Sequence, residues 1–244
     1  MFVLAALKGV NLMLEQWETH ECWVAHFDIL GFKSLLDQGW MEFKTVLSQS
    51  KIDEVIESIN DMPALHREHI DYLFYADTFI FYSKSDQVKD YPSMLSVAQK
   101  FIRKCISIKL PVRGAIAFGE LIFGHEKKIL MGKAFLESYE YSEDQNWLGL
   151  LLTPSATRKV SEYSLNPLHH FYINRDIPLR RHSIFNSDVF AYTFCQGSAN
   201  FSNPLLGDLD EMLKTAPTAE KVKYENTIGF IEKYDDRRPA NQNI

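Results

Sequence analysis

The stretch Ile70–Tyr82 constrains the fold more than any other part of the sequence. Two runs of aromatic and β-branched residues, Ile70–Tyr75 and Thr78–Tyr82, meet at Ala76-Asp77. Such runs favour strands. With only two residues between them, they fold back on each other as a hairpin or form one sharply bent strand. The chain therefore has to build a β-sheet around this stretch.

The patterns on both sides of the hairpin predict an α+β fold. Cys22–Asp28 alternates like a strand, and apolar residues recur at helical spacing over Phe32–Ile59, as one helix or as two with a break near Ser48-Gln49-Ser50. The elements expected after the hairpin are a helix at Tyr91–Ile108, strands at Val112–Phe118, Leu121–Phe123 and Lys128–Met131, a helix at Lys133–Asp144 and a strand at Leu148–Leu152. The order β-α-β-β-α-β, followed by a β-α-β extension, predicts a ferredoxin-like arrangement, with an antiparallel sheet and helices on one face.

The length of the chain is compatible with one domain. It has 244 residues, which is longer than a typical domain of about 100–200 residues but still compatible with a single domain. We expect a single domain over 1–244, with a core at about 22–153, a C-terminal extension over 154–234 and a flexible tail over 235–244. Beyond the core we expect a short helix, strands near Phe171–Ile173 and Val189–Phe194, and a final helix from about Leu209.

Composition and charge exclude several classes of partner. The chain has 26 basic and 32 acidic residues, a net charge of −6, so it offers no broad basic surface to a duplex nucleic acid. Its apolar runs are far shorter than the roughly 20 residues of a membrane span, and its apolar N-terminus lacks the basic segment of a signal peptide. Cys22, Cys105 and Cys195 stand apart, which favours buried thiols in a reducing compartment. We therefore expect a cytoplasmic protein that binds neither nucleic acid nor membrane.

The most distinctive local motif is Phe27-Asp28-Ile29-Leu30-Gly31-Phe32. In it, Asp28 ends a strand and a glycine turn leads into a helix. The backbone N–H groups of such a turn suit a phosphate, but the adjacent carboxylate would repel that phosphate unless a divalent cation lay between them. Asp28 could instead merely cap the helix, as aspartate does well.

A second acidic residue, Asp77, lies at the centre of the hairpin. Aspartate is unfavourable in strands and common in turns, so a structural role is one interpretation. In a β-α-β-β order, however, the end of the first strand and the hairpin can face each other. Two carboxylates about 4 Å apart repel by about 4 kcal/mol at an effective dielectric constant near 20. Asp28 and Asp77 beside a phosphate-binding turn would thus suit Mg²⁺ or Mn²⁺ holding a nucleoside triphosphate.

These motifs resemble the catalytic domain of the class III nucleotidyl cyclases. The resemblance covers roughly Trp23–Pro154 and is carried by FDILGF, YADTFIFY and LPVRGAIAFGELIFG. More narrowly, the chain is similar to the bacterial pyrimidine cyclases of the Pycsar anti-phage systems. With them it shares the Ala-Asp-Thr hairpin, the RGAIAFGE strand and the GKAFLESYEYSEDQNWLG helix.

The resemblance implies roles for the residues of the site. Asp28 and Asp77, with the backbone carbonyl of Ile29, would bind one or two Mg²⁺ or Mn²⁺ ions. These ions would help to deprotonate the ribose 3′-hydroxyl, which attacks the α-phosphorus, and would hold the leaving pyrophosphate. The triphosphate would be held by the turn, which consists of Leu30, Gly31, Phe32 and Lys33.

Three positions depart from the adenylyl and guanylyl members of the family. Their transition-state Asn and Arg correspond to Leu136 and Glu140, and their purine-selecting Lys corresponds to Leu73. Charge stabilisation must then come from elsewhere. The candidates are Arg113, which we assign to catalysis, Lys133, which we assign to nucleotide binding, Lys33 and Arg103. A structural ion pair is the alternative role for Arg113.

The resemblance implies a pyrimidine nucleotide cyclase that makes 3′,5′-cyclic UMP from UTP or cyclic CMP from CTP; of the two substrates, we favour UTP. It also implies a homodimer with shared active sites, and a product that acts on a separate cyclic-nucleotide-binding effector in anti-phage defence. Two alternatives stay open: a cyclase-like module that binds a nucleotide without converting it, and a purine nucleotidyl cyclase. The sequence does not decide between UTP and CTP, and it does not identify the activating signal.

Other charged residues are predicted to be structural. His66 and His69 form an HxxH pattern without a third ligand, which is typical of a surface loop or helix rather than of a metal site. Glu120 and Glu137 are interpreted as turn and helix-surface residues.

Overall fold

The computed structural model describes residues 17–32, 49–61, 68–124, 129–165, 172–180, 188–194 and 203–234. In this part of the chain, eight strands form one sheet and are accompanied by six helices. The strands are β1 (Trp17–Ile29), β2 (Ile70–Tyr75), β3 (Thr78–Ser83), β4 (Val112–Gly124), β5 (Ile129–Met131), β6 (Leu150–Leu152), β7 (Tyr172–Ile173) and β8 (Phe190–Tyr192). The helices are α1 (Gln49–Asn60), α2 (Asp90–Ser107), α3 (Lys133–Glu143), α4 (Pro154–Glu162), α5 (Pro204–Thr215) and α6 (Lys221–Tyr234). None of these helices has both the length and the apolar character that crossing a bilayer requires.

The sheet is centred on β1 and β4. Its strand order is β2-β3-β1-β4-β6-β8-β7, and β5 pairs with β4 outside this path. The pairs β2–β3, β3–β1 and β1–β4 are antiparallel, whereas β6 runs parallel to β4. The order β2-β3-β1-β4 is that of the predicted ferredoxin-like core, so the predicted α+β fold is confirmed.

Both neighbours of β1 bring residues to its carboxyl end. Asp28 lies opposite Thr78 of β3 on one side and opposite Arg113 of β4 on the other. The hairpin turn at Ala76-Asp77 directly precedes Thr78. The fold therefore places the hairpin turn, the end of β1 and the start of β4 at the same edge.

The two faces of the sheet carry separate hydrophobic cores. On one face, Phe27 of β1 packs against Phe101 of α2, with ring centroids 4.5 Å apart. On the other face, Val24 belongs to a smaller cluster with Ala134 of α3. Side chains alternate along a strand, and the second face of β1 is also apolar and has to be covered. The two helices of the βαββαβ core, α1 and α2, share one face as predicted, because Val55 of α1 and Phe101 of α2 belong to the same cluster. The helix of the extension, α3, covers the other face.

The structure corrects two predictions about individual strands and helices. β4 is one strand where two were expected, because Gly119, with φ of 155°, continues the ladder and pairs with Cys22. The expected final helix is two helices, α5 and α6, because Pro217 between them lacks the N–H that a continuous helix needs.

The described residues cover only part of some predictions. Cys22 and Cys105 are buried free thiols, as predicted. Cys195, the tail over 235–244 and the first half of the helix predicted at Phe32–Ile59 lie outside the described residues.

Candidate active site

Backbone hydrogen bonds join the end of β1 to the hairpin turn and to the start of β4. The N–H of Ile29 donates to the carbonyl of Asp77 at 3.0 Å, and the N–H of Leu30 donates to the carbonyl of Pro111 at 2.9 Å. In an extended strand, the N–H and C=O of one residue point to the same side, so the Ile29 carbonyl is also directed towards the hairpin. Asp28, Ile29 and Asp77 thus lie together at one edge of the sheet.

The Asp28 carboxylate is held through one of its two oxygens. Its side chain is 17% exposed, and that of the neighbouring Arg113 is 4% exposed. Nη2 and Nε of Arg113 both donate to Oδ2 of Asp28, at 3.0 and 3.3 Å. No described residue donates a hydrogen bond to Oδ1. Oδ1 is therefore the oxygen that a cation can use.

Arg113 has a hydrogen-bond partner for each of its five N–H groups. In addition to the bonds to Asp28, Nη1 donates to the backbone carbonyls of Glu143 and Gln145, at 2.8 and 3.1 Å. Nη2 also donates to the carboxylate of Glu143. A guanidinium has five N–H donors, so no donor remains for a phosphate in this arrangement. Arg113 thus makes the ion pairs of a structural residue next to the proposed metal ligand.

The electrostatic environment of Asp28 favours a bound cation. Burial raises the pKa of Asp28 to about 7, while the Arg113 guanidinium opposes that rise. The carboxylates of Glu143 and Asp77 raise the pKa further, because each of them repels the ionised form of Asp28. A divalent cation would relieve this repulsion.

His26 connects α3 to the same edge, and the sequence did not single it out. It is 2% exposed, and its ring packs edge-on against Tyr139. Nδ1 lies 2.8 Å from Oγ of Ser142, whose hydroxyl donates to the Tyr139 carbonyl, so Nδ1–H is the donor. Burial lowers the pKa of His26 to about 4. The sequence did contain a signal for His26: a histidine within the alternating strand pattern CWVAHFD, close to Asp28.

The oxygen atoms at this edge suit a hard divalent cation that takes its remaining ligands from a nucleotide. In the described ranges, no group of three or more His, Cys, Asp and Glu side chains is placed to hold a metal alone. Mg²⁺ is usually bound by one or two carboxylates plus substrate phosphates. Oδ1 of Asp28, the half-buried carboxylate of Asp77 and the carbonyl of Ile29 supply oxygens of this kind. These residues therefore fit Mg²⁺ or Mn²⁺ bound together with a triphosphate.

The turn after β1 is shaped by a glycine. Gly31 has φ of 76°, in the left-handed region that favours glycine. Among the described residues, no atom lies within 4 Å of the position that a Cβ would take there. Leu30 is buried and Phe32 is partly buried, whereas Lys33 lies outside the described residues.

Lys133 lies beside the middle of β1, away from Asp28. It begins α3 beside Gly119, where an added Cβ would lie 3.9 Å from the Cβ of Lys133. Gly119 pairs with Cys22, which precedes Asp28 by six residues, about 20 Å along a strand. Within one chain, Lys133 is therefore not brought to Asp28.

Arg103 fixes the C-terminal extension. Its Nε donates to the hydroxyl of Tyr192 at 2.7 Å, and its Nη2 donates to the carbonyl of Phe194. The guanidinium therefore binds β8 and the residues that follow it.

The three positions that depart from the cyclase pattern are apolar or exposed. Leu136 is 55% exposed on α3, and Glu140, one turn later, is exposed as well. Leu73 lies opposite Ile80 and packs against the smaller core. No cation stands at any of these positions.

The charged residues that were predicted to be structural have structural contacts. The Glu137 carboxylate accepts a hydrogen bond from the N–H of Ser155, at the start of α4, at 3.1 Å. His69 pairs with the buried carboxylate of Asp90 at 3.2 Å. Glu120 is exposed within β4, where it pairs with Glu21, so its predicted position in a turn is wrong. His66 lies outside the described residues.

No family model matches the sequence, and no curated protein matches it. Among solved structures, the chain is similar to the monomeric guanylyl cyclase domain of the RhoGC fusion protein from the aquatic fungus Blastocladiella emersonii, with 10% identity, coverage of 60% of this chain and 89% of that chain, and a TM-score of 0.48. It is also similar to an adenylate/guanylate cyclase/hydrolase from Silicibacter pomeroyi, with 14% identity, coverage of 72% and 98%, and a TM-score of 0.47. A third similar structure is a class III adenylyl cyclase-like ATP-binding protein from Pseudomonas aeruginosa, with 12% identity, coverage of 90% and 45%, and a TM-score of 0.44. Similarities at this level do not indicate what the chain binds or acts on.

Proposed function

We propose that the chain is a pyrimidine nucleotide cyclase, which converts UTP or CTP into 3′,5′-cyclic UMP or cyclic CMP and pyrophosphate. The observation that carries the proposal is the placement of Asp28 and Asp77 at one edge of the sheet, joined by the hydrogen bond from Ile29 to Asp77. The resemblance of FDILGF, YADTFIFY and LPVRGAIAFGELIFG to class III cyclase motifs supports it.

The proposed step forms one bond and breaks one. The ribose 3′-oxygen attacks the α-phosphorus, the bond from that phosphorus to the β-phosphate oxygen breaks, and the hydroxyl proton passes to solvent. A bound divalent cation supplies the acidification of the hydroxyl and neutralises the pyrophosphate. Asp28 and Asp77 hold the cation, with the Ile29 carbonyl as a further ligand, and the turn at Gly31 orients the triphosphate. A chain with a net charge of −6 needs such cations in order to accept a polyanion.

The pyrimidine preference is supported by what stands at position 73. The purine-selecting lysine of the adenylyl and guanylyl members has an apolar counterpart, Leu73, which packs against the smaller core. The choice between UTP and CTP depends on hydrogen bonds to one edge of the base. We propose UTP as the preferred substrate of the two.

A homodimer with shared sites is part of the proposal. The outer face of α3 carries two exposed apolar side chains, Leu136 at 55% and Tyr139 at 45%, and a partner subunit would cover them. In such a dimer, Lys133 would contribute to the partner's nucleotide site. We further propose a cytoplasmic enzyme whose product activates a separate effector in anti-phage defence.

The test is to incubate the purified protein with each of the four nucleoside triphosphates and Mn²⁺, and to identify the products by mass spectrometry. Asp28→Asn and Asp77→Asn remove the proposed metal ligands with little change in shape. Asp210→Asn, at an exposed position of α5, removes the same charge away from the site. We expect one cyclic pyrimidine product from the wild type and from Asp210→Asn, and none from the other two variants.

Each other outcome points to a different function. A cyclic purine product would keep the reaction but overturn the pyrimidine assignment. Retention of a triphosphate without any product would favour the binding module. Product formation that survives in both Asp28→Asn and Asp77→Asn would remove these carboxylates from the mechanism.

A further inference from the structure

Glu143, the last residue of α3, is tied to the proposed metal site through Arg113. It accepts two of the five hydrogen bonds that the Arg113 guanidinium donates, one through its backbone carbonyl at 2.8 Å and one through its carboxylate. The same guanidinium binds Oδ2 of Asp28 through two N–H groups. We propose that Glu143 is a positioning residue: through Arg113, it fixes the Asp28 carboxylate so that Oδ1 is left to the divalent cation. This inference rests on the proposed function.

The geometry leaves Arg113 little freedom once Glu143 is in place. Two of its acceptors are backbone carbonyls, that of Glu143 at the end of α3 and that of Gln145 two residues later. Gln145 itself donates from Nε2 to the carbonyl of Gly114, next to Arg113 in β4, at 2.8 Å. The planar guanidinium is therefore held on the α3 side by Glu143 and Gln145 and on the β1 side by Asp28. A guanidinium with every donor engaged is suited to orienting a carboxylate, and not to following a phosphate through a reaction.

The charges around Arg113 are consistent with this role. Asp28 and Glu143 share one guanidinium, with Nη2 of Arg113 donating to both. With Asp77 nearby, three carboxylates and one guanidinium leave two uncompensated negative charges, which equal the charge of one divalent cation.

Exposure makes Glu143 the member of this group that can be changed most safely. Its side chain is 37% exposed, compared with 17% for Asp28 and 4% for Arg113. Glu143→Gln keeps an oxygen that can accept from Nη2 and removes the charge. Glu143→Ala removes both. Comparison of these two variants therefore separates positioning by a hydrogen bond from a general effect of charge.

The experiment measures Mn²⁺ binding and not turnover. The free Mn²⁺ signal in electron paramagnetic resonance is followed during titration of the full chain, first with Mn²⁺ alone and then with 3′-deoxy-UTP or 3′-deoxy-CTP, which lack the attacking hydroxyl. The variants are Glu143→Gln, Glu143→Ala and, as a control for net charge, Glu225→Gln at an exposed position of α6. Thermal unfolding of each variant shows that it is folded.

We expect Glu143→Ala to weaken Mn²⁺ binding at least about tenfold, and Glu143→Gln to stay within about threefold of the wild type, because a half-exposed charge is largely screened. Glu225→Gln should bind like the wild type. Arg113→Lys should also weaken Mn²⁺ binding at least about tenfold, since an ammonium cannot reach both Asp28 and the acceptors at the end of α3, as the planar guanidinium does.

Three results would overturn the inference. Equal weakening in Glu143→Gln and Glu143→Ala would mean that charge acts and positioning does not. Wild-type binding in Glu143→Ala would reduce the contact to a surface ion pair. Absence of Mn²⁺ binding in the wild type, with and without nucleotide, would remove the proposed function together with the inference. Wild-type Mn²⁺ binding with a wrong pattern among the variants would remove the inference alone.

Discussion

Ile29 donates its backbone N–H to the carbonyl of Asp77 at 3.0 Å, so the strand that ends at the first acidic residue is fastened to the turn that contains the second. The two carboxylates are thus placed by the backbone of a sheet and not by flexible side chains alone. Asp77 raises the pKa of Asp28 by charge repulsion, which shows that this backbone contact brings the two charges within reach of each other. The turn that makes the contact has an unusual backbone conformation at Ala76.

Ala76→Gly should stabilise the protein and leave product formation unchanged. Ala76 has φ of 56°, in the left-handed region where a Cβ costs about 1–2 kcal/mol. Part of this gain is lost because glycine makes the unfolded chain more flexible. We expect the free energy of unfolding to rise by about 0.5–1 kcal/mol, measured by urea denaturation. Ala156→Gly, at a buried position in α4, should do the reverse by at least about 1 kcal/mol. A less stable Ala76→Gly variant would contradict the assigned turn conformation.

Asp28 should make the metal-free protein less stable as the pH rises from about 4 to 7. Burial raises the pKa of Asp28 from 3.8 to about 7 in the folded state. In this interval the folded protein keeps a proton that the unfolded chain has released, so the free energy of unfolding falls with pH. The fall due to this group is on the order of 4 kcal/mol, since each pKa unit corresponds to about 1.4 kcal/mol. Urea denaturation at several pH values, in a chelator, measures it.

Asp28→Asn is the control, because it keeps the other titrating groups. Among these, the pKa of His26 is lowered to about 4 by burial, which makes stability rise with pH over the same interval. Only the difference between the wild type and Asp28→Asn isolates Asp28, and this difference should shrink when Mn²⁺ is added at pH 7, since Mn²⁺ binds the ionised form. A difference that does not vary with pH would disprove the assigned environment of Asp28.

Local patterns were sufficient to predict most of the elements. The hairpin over Ile70–Tyr82 was predicted to within one residue, because alternation and turn residues are encoded locally. The position of α3 on the second face of the sheet was not predicted from local patterns. The second face of β1 needs a cover, and nothing within Lys133–Glu143 says that this helix supplies it. The break between α5 and α6 had a local signal in Pro217, which the prediction of a single final helix overlooked.

The candidate site was predictable only where its residues follow a strand or a turn. Asp28 and Asp77 stand at such points, so topology alone suggested that they face each other. The contact of Arg113 with Glu143 joins residues 30 positions apart and depends on where α3 ends. No spacing rule provides that information, so the sequence suggested a catalytic Arg113 and passed over Glu143.

Gly132→Ala should be far more disruptive than Gly207→Ala. A Cβ at Gly132 would lie 2.3 Å from the carbonyl oxygen of Glu120, and φ of 146° there is rarely adopted by other residues. Since backbone must move, we expect a loss of at least about 3 kcal/mol. Gly207, within α5, has no atom of the described residues within 4 Å of its Cβ position, so Gly207→Ala should gain about 1 kcal/mol from helix propensity. Thermal unfolding compares the two variants directly. A tolerated Gly132→Ala would mean that α3 starts differently.

Leu136→Asp should separate the proposed dimer into monomers without unfolding them. Leu136 is 55% exposed on α3, so a charge there is harmless to the isolated chain but unfavourable in an apolar interface. We expect the wild type to sediment as a dimer, and Leu136→Asp to sediment as a monomer with at least about tenfold lower product formation and unchanged thermal unfolding. Val222→Asp, at a 45% exposed position of α6, should behave like the wild type. A dimeric, active Leu136→Asp variant would show that α3 is not at the interface. A monomeric wild type with full activity would show that each active site is complete within one chain.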